Sequence, residues 1–189
     1  MSNRITLGSG ELYCAEFDGE IPANEVIENN ENRLGYISGG ATLEYKPTTY
    51  EAKDDLGIVV KTIITDEEVI LKSGILTFNG KTLSVLCETG RISEDTSKKT
   101  RTVKIGGTKN ANGKSYIIHF VHKDSVDGDI RITIVGKNQA GFSLTFAKDK
   151  ETVIDAEFKA LPQDNEGTLI KYQEIDNSLE ESTILKENK

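Results

Sequence analysis

The chain has 189 residues, 36% of them hydrophobic, with no Trp, three Pro and seventeen Gly. That length suits one domain able to fold without staples, while the low apolar share and many glycines predict a thin core and many tight turns. The net charge is −8 and the longest apolar run is the four residues 12–15, so neither a signal peptide nor a membrane span is expected, and folding in a cytoplasm is.

Taken in chain order, residues 10–17 form a first strand. An acidic loop containing Pro22 follows over 18–32. Residues 5–32 carry seven acids (Glu11, Glu16, Asp18, Glu20, Glu25, Glu28 and Glu31) and no Lys or Arg, leaving the rest of the chain nearly neutral. Such a block reads either as a solvated loop or as a surface that repels a polyanion. The alternation Ala41-Thr42-Leu43-Glu44-Tyr45-Lys46 predicts a second strand starting near Leu34 and ended by Pro47. Residues 48–56 have no period and are expected to be a long loop between early strands, which makes them a functional candidate. Two β-branched strands, 57–65 and 68–77, are expected to join as a hairpin across Thr65-Asp66-Glu67.

A single short helix is predicted from Asn79, a good N-cap, to Gly90, with Leu83, Leu86 and Cys87 on one face for packing against the sheet. Residues 93–100 are polar, a strand follows over 102–105, and Asn112-Gly113 signals a hairpin before a strand over 115–122. Then come three alternating runs: Ile130, Ile132, Ile134; Phe142, Leu144, Phe146; Ile154, Ala156, Phe158. Turn-forming residues separate them, Asp127-Gly128 and Lys148-Asp149-Lys150 among them, and the pattern is that of an antiparallel meander of local hairpins. One domain over 1–173 and a polar tail over 174–189 complete the organisation.

No constellation for catalysis emerges. The segment from Gly107 to Ser115 imitates a phosphate-binding loop but has five residues between its glycines and a strand-like run after it, where a helix is needed. His119 and His122 are three apart on one strand and therefore face opposite ways. Asp124, Asp127 and Asp129 lack the closing Glu of a calcium loop. Cys14 and Cys87 read as two reduced, buried thiols. Lys98, Lys99, Arg101 and Lys104 form the one basic cluster, with Glu94 and Asp95 beside it and no interleaved aromatic, so a solvated loop or a subunit contact is the plainer reading than a nucleic-acid site. The residues thus predict no catalytic group, no metal and no cofactor; enzyme function is not expected.

Three stretches carry a family resemblance: Asn32-Arg33-Leu34-Gly35-Tyr36-Ile37, Gly39-Gly40-Ala41-Thr42-Leu43-Glu44-Tyr45-Lys46-Pro47, and Tyr50-Glu51-Ala52-Lys53-Asp54-Asp55-Leu56-Gly57. With the later segments 75–86, 101–107, 115–122, 127–139 and 152–167, the chain resembles the tail tube (major tail) proteins of long-tailed bacteriophages of Gram-positive bacteria over residues 5–172. The resemblance implies an antiparallel β-sandwich flanked by one short α-helix. It implies homohexameric rings stacked into the tail tube of a virion assembled in the host cytoplasm. Its partners would be further copies of itself, the tape measure protein, the tail terminator and the distal tail or baseplate proteins. A loop between early strands reaches the next ring in that family; the matching residues here include Lys46, Pro47, Tyr50, Lys53, Asp54 and Asp55. The lumen is acidic, so genomic DNA passes without specific binding, and six copies would carry a charge of about −48. Close alternatives are the tube of a contractile tail or of a phage-tail-like bacteriocin. In another class stands a monomeric glycan-binding sandwich, against which the absence of Trp counts.

Overall fold

The computed structural model describes residues 8–57 and 59–175. Its strands are β1 (Glu11–Glu16), β2 (Arg33–Gly35), β3 (Ile37–Lys53), β4 (Val59–Ile75), β5 (Arg91–Asp95), β6 (Thr100–Lys104), β7 (Tyr116–His122), β8 (Ile130–Asn138), β9 (Ile154–Leu161) and β10 (Lys171–Glu174). Two short helices, α1 (Asn24–Ile27) and α2 (Gly80–Leu86), and a 3-10 turn at Thr108–Asn110 complete the elements.

The main sheet runs β2-β1-β7-β8-β9-β4-β3, with β10 also pairing β8, and its ladders are antiparallel. β2 and β3 stand at opposite ends of this path, yet only Tyr36 separates them in sequence. The sheet therefore has to roll until its two ends meet. At the seam the Tyr36 amide donates to Thr77 Oγ1 (2.7 Å) and the Leu76 amide donates to the Tyr36 carbonyl (2.7 Å). Inside the roll, Leu12 and Leu34 from one end join Leu71 and Ile75 from the other, with Ile118, Ile134 and Phe158 between them. The result is an antiparallel, sandwich-like β-fold, as the alternating runs predict.

The predicted helix is α2. Asn79 caps it by accepting from the Lys81 and Thr82 amides, while Thr82 Oγ1 accepts from the Asn79 amide. Leu86 is buried and Leu83 packs beside it on the core, and the Thr82 hydroxyl donates to the Leu34 carbonyl (3.1 Å). A helix of seven residues has too few internal bonds to stand alone, so this packing holds it. It ends sooner than expected: Cys87 is already extended (φ −125°, ψ 112°), and Gly90 is not left-handed.

A second core lies on the outer face of β1, β7 and β8, where Tyr13, Ile117, Val121 and Val135 meet Ile27 of α1, flanked by Phe17 and Ile21. The acidic stretch is therefore not a free loop but a cover folded over this face. β7 is buried on both faces, which explains its nearly continuous apolar run.

Five expectations are corrected. Residues 48–53 continue β3 as a strand and are not a loop; only the turn around Asp54-Asp55-Leu56 connects β3 to β4. Thr65-Asp66-Glu67 is not a hairpin turn but lies inside β4, where Thr65 bulges between the pairs Thr48–Asp66 and Thr49–Ile64. Residues 93–100 are not a flexible polar stretch but most of the β5–β6 hairpin, and Asn112-Gly113 joins no hairpin, because β6 pairs β5 while β7 lies between β1 and β8. The alternation at 142–146 produces a segment with Phe142 and Leu144 on the core and Phe146 exposed, but no ladder. At the end of the domain β10 carries the ladder through Glu174, and the Ile175 amide donates to the Asp129 carbonyl (3.0 Å). Residues 176–189 of the polar tail lie outside the described residues.

Candidate functional site

The feature that stands out is the far end of the β3–β4 hairpin. β4 pairs β9 only from Ile70 to Ile75, so from Val59 to Val69 its one ladder partner among the described residues is β3, although Val69 is still buried in the core and Glu68 still reaches Lys159 (2.8 Å). At about 3.3 Å per residue this leaves a two-stranded arm of roughly 35 Å. Lys46, Pro47, Tyr50, Lys53, Asp54 and Asp55 all lie exposed on the arm or its turn, as do residues 61–67. The turn closes with the Gly57 amide donating to the Asp54 carbonyl (2.9 Å). Gly39 and Gly40, both with positive φ (79° and 78°), form a bulge between the pairs Ser38–Gly74 and Ala41–Ser73, within the body of the sheet and short of the arm, which begins beyond Tyr45 and Val69.

The arm carries apolar groups that no described residue of this copy covers. Tyr50 and Ile63 are register partners on one face, Ile64 opposite Thr49 lies on the other, and Leu56 at the turn is 85% exposed. Local polar contacts keep the ribbon in shape: Lys46 with Glu44 (2.7 Å), Lys53 with Glu51 (3.2 Å), and the Tyr45 hydroxyl donating to Glu67 (2.6 Å). A lone two-stranded ribbon is marginally stable in water, and its unpaired edges invite another strand or surface. Sequence reading marked Tyr50 here but missed Leu56, Ile63 and Ile64. The β-branched run 62–65 was the available signal, and it gives propensity without telling which strands stand clear of the body.

The seven acids fall into two groups. Glu11 accepts from Lys123 and Arg33 (both 2.6 Å), and the Lys123 bond, opposed by partial burial, holds its carboxyl below the usual range. Glu16 pairs with Lys114 (2.6 Å). Glu28 points inward: its side chain is 13% exposed and accepts from Arg131 Nε (2.6 Å) and His119 Nε2 (3.2 Å). Burial pushes the Glu28 carboxyl up, but the bonds from Arg131 and His119 outweigh it and keep it low. With Glu28 ionised, His119 carries its proton on Nε2, and its Nδ1 takes the Thr133 hydroxyl (2.8 Å). His119 is fully enclosed, and desolvation holds its pKa down despite Glu28. Asp18, Glu20, Glu25 and Glu31 remain exposed on the cover.

The basic cluster is the β5–β6 hairpin, which rests on α2. Arg101 pairs with Glu94 (2.6 Å) and Lys98 with Asp95 (3.7 Å). Lys99 stands exposed at the β5–β6 turn, and Lys104 stands exposed at the other end of β6, beside Ile105, which is 45% exposed.

Among the described residues no cluster of His, Cys, Asp or Glu could hold a metal. His122 faces away from His119 and hydrogen-bonds the Ser9 carbonyl through Nδ1 (2.7 Å). Asp124 accepts from the Val126 and Asp127 amides (2.8 and 3.0 Å), closing its own turn. The imitation phosphate loop leads into β7 and has no helix after it. Cys14 and Cys87 are free thiols, and burial pushes both pKa values up. Among the described residues no helix is long and apolar enough to cross a membrane. No family model matches the chain, and a search of curated proteins returns no significant match.

Proposed function

We propose that the chain is a structural subunit that assembles with copies of itself, and specifically a tail tube protein of a long-tailed bacteriophage, forming stacked sixfold rings around an acidic lumen that conducts the genome. The observation that carries this reading is the β3–β4 arm: a long ribbon with exposed apolar side chains on both faces and none of the described residues of its own copy covering them. A soluble monomer gains nothing from such an arm, whereas a subunit reaching to the next ring needs one. The sandwich-like sheet with α2 against it supports the same reading, as does the resemblance of residues 32–57 to that family. The arm replaces the loop expected from sequence as the stacking element. For the lumen surface, Asp18, Glu20, Glu25 and Glu31 are the exposed acids of the cover. Glu11, Glu16 and Glu28 are committed to cationic partners. The tubes of contractile tails and of bacteriocins would use the same parts.

Negative-stain electron microscopy of the purified chain tests the proposal. Rings and tubes support it. A protein that remains monomeric at every concentration, or that instead binds glycans as a monomer, refutes it.

A further inference from the structure

The arm needs a receptor, and the distribution of charge along the molecule names one. The arm and its turn, residues 46–67, hold five acids and three bases; at the tip Glu51 pairs with Lys53 (3.2 Å), while Asp54 and Asp55 sit beside the exposed Leu56. The β5–β6 hairpin, residues 91–104, holds five bases and two acids. Both of those acids are already spent on Arg101 and Lys98. The hairpin also leaves Ile92 and the adjoining Ile105 partly exposed. It forms a two-stranded sheet of its own, separate from the main sheet, so its edges too are open.

The two elements sit at opposite ends of β4. The arm's turn precedes Val59, and α2 starts five residues after Ile75, with β5–β6 seated on it. That seat is fixed: a side chain at Gly80 would collide with Arg101 Cδ (2.8 Å) and Val103 Cγ2 (2.9 Å), so the hairpin lies directly against the start of α2. From Ile75 to Val59 the strand spans about 50 Å, and β5–β6 itself covers only about 17 Å. One copy's arm tip cannot reach its own hairpin. Opposite charges with apolar neighbours, held apart on a rigid strand, make a head-to-tail surface.

We infer that the acidic arm tip of one copy docks on the basic β5–β6 hairpin of the next, a contact between second copies of this chain that orders the stacking. The inference rests on the assembly reading above and goes further by naming both sides of the joint.

Charge reversal tests it. One variant carries Lys99→Glu with Lys104→Glu; the other carries Glu51→Lys with Asp55→Lys. All four positions are exposed, so both variants should melt within a few degrees of the wild type. In each variant alone, like charges face each other, and the concentration for half-assembly, read by sedimentation and electron microscopy, should rise by about tenfold or more. Mixed one to one, every arm meets a hairpin of opposite sign, and alternating assemblies should form at near wild-type concentration. If either variant assembles alone as the wild type does, or if the mixture fails as its components do, the joint is refuted while the tube reading stands. If the wild type itself never assembles, the tube reading falls and takes the joint with it.

Discussion

Replacing Glu28 by Gln should destabilise the fold by about 2–3 kcal/mol, more than any exposed acid of the chain. The magnitude follows from enclosure. Exposed ion pairs contribute about 0–1 kcal/mol, whereas breaking a buried pair costs about 3–5 kcal/mol, because the remaining charge is stranded. The Glu28 and Arg131 side chains are 13% and 16% exposed, which places the pair near the buried limit. Arg131 keeps a second contact to Asp129 (3.2 Å), which lowers the cost below that limit. Arg131 Nε and His119 Nε2 both donate to Glu28 Oε1, so Gln keeps that acceptor, but it loses the negative charge and turns its NH2 donor toward Arg131 Nη2, which in the wild type donates to Oε2 (3.4 Å). For a domain of this size 2–3 kcal/mol corresponds to about 5–10 °C in melting temperature. Urea unfolding and calorimetry measure it, with Glu25→Gln, exposed on the adjoining helix α1, as the control, expected to fall within about 0.5 kcal/mol of wild type. Equal effects from the two substitutions would refute the claim that the acidic segment is pinned from below, and would return it to a free loop.

The same network sets a pH dependence. His119 and Glu28 both have folded pKa values below their unfolded ones, so the unfolded chain binds protons first. Stability should therefore fall from about pH 6.5 downward as unfolded His119 takes up its proton, and fall again as the pH drops through the folded pKa of Glu28; a flat urea midpoint between pH 7.5 and 5 would contradict it. Excising residues 47–67 and joining the register partners Lys46 and Glu68 through an Asn-Gly turn should leave the melting transition within about 1 kcal/mol, since no side chain of the described core is lost, and should abolish assembly in the electron microscope. Leu86→Ala, at 2% exposure the anchor of α2, should cost about 2–5 kcal/mol in urea unfolding, and a loss below 1 kcal/mol would show that the helix is not part of the core. Gly40→Ala, forced to φ 78°, should lose about 1 kcal/mol by the same measurement.

The sheet was legible in the sequence wherever one face of a strand is buried. Ile132 and Ile134 alternate with Arg131 and Thr133 because their side of β8 faces the main core, and Ile154, Ala156 and Phe158 alternate on β9 for the same reason. Asn79 announced α2 because its side chain has a local duty that needs no tertiary context. The arm was illegible because both of its faces are exposed. With no buried face, residues 48–53 show no period, and Pro47 and Thr65-Asp66-Glu67 imitate stops where the ladder runs on through a bulge. The reverse error occurred at Phe142, Leu144 and Phe146, where alternation records which side chains touch the core but no strand is near enough to pair. Glu28 could not be told from its neighbours, since its partners Arg131 and His119 come from distant strands. Nor could the closure of the sheet across Tyr36 be read from pattern, because it depends on the order of strands and not on their composition.

Self-assembly driven by the arm is read most directly by negative-stain electron microscopy with class averaging on the full chain, concentrated stepwise from dilute solution. Sixfold rings that stack into tubes of constant diameter as concentration rises are expected. Single particles of monomer size at the highest concentration, in a sample whose melting curve shows a folded protein, would contradict it.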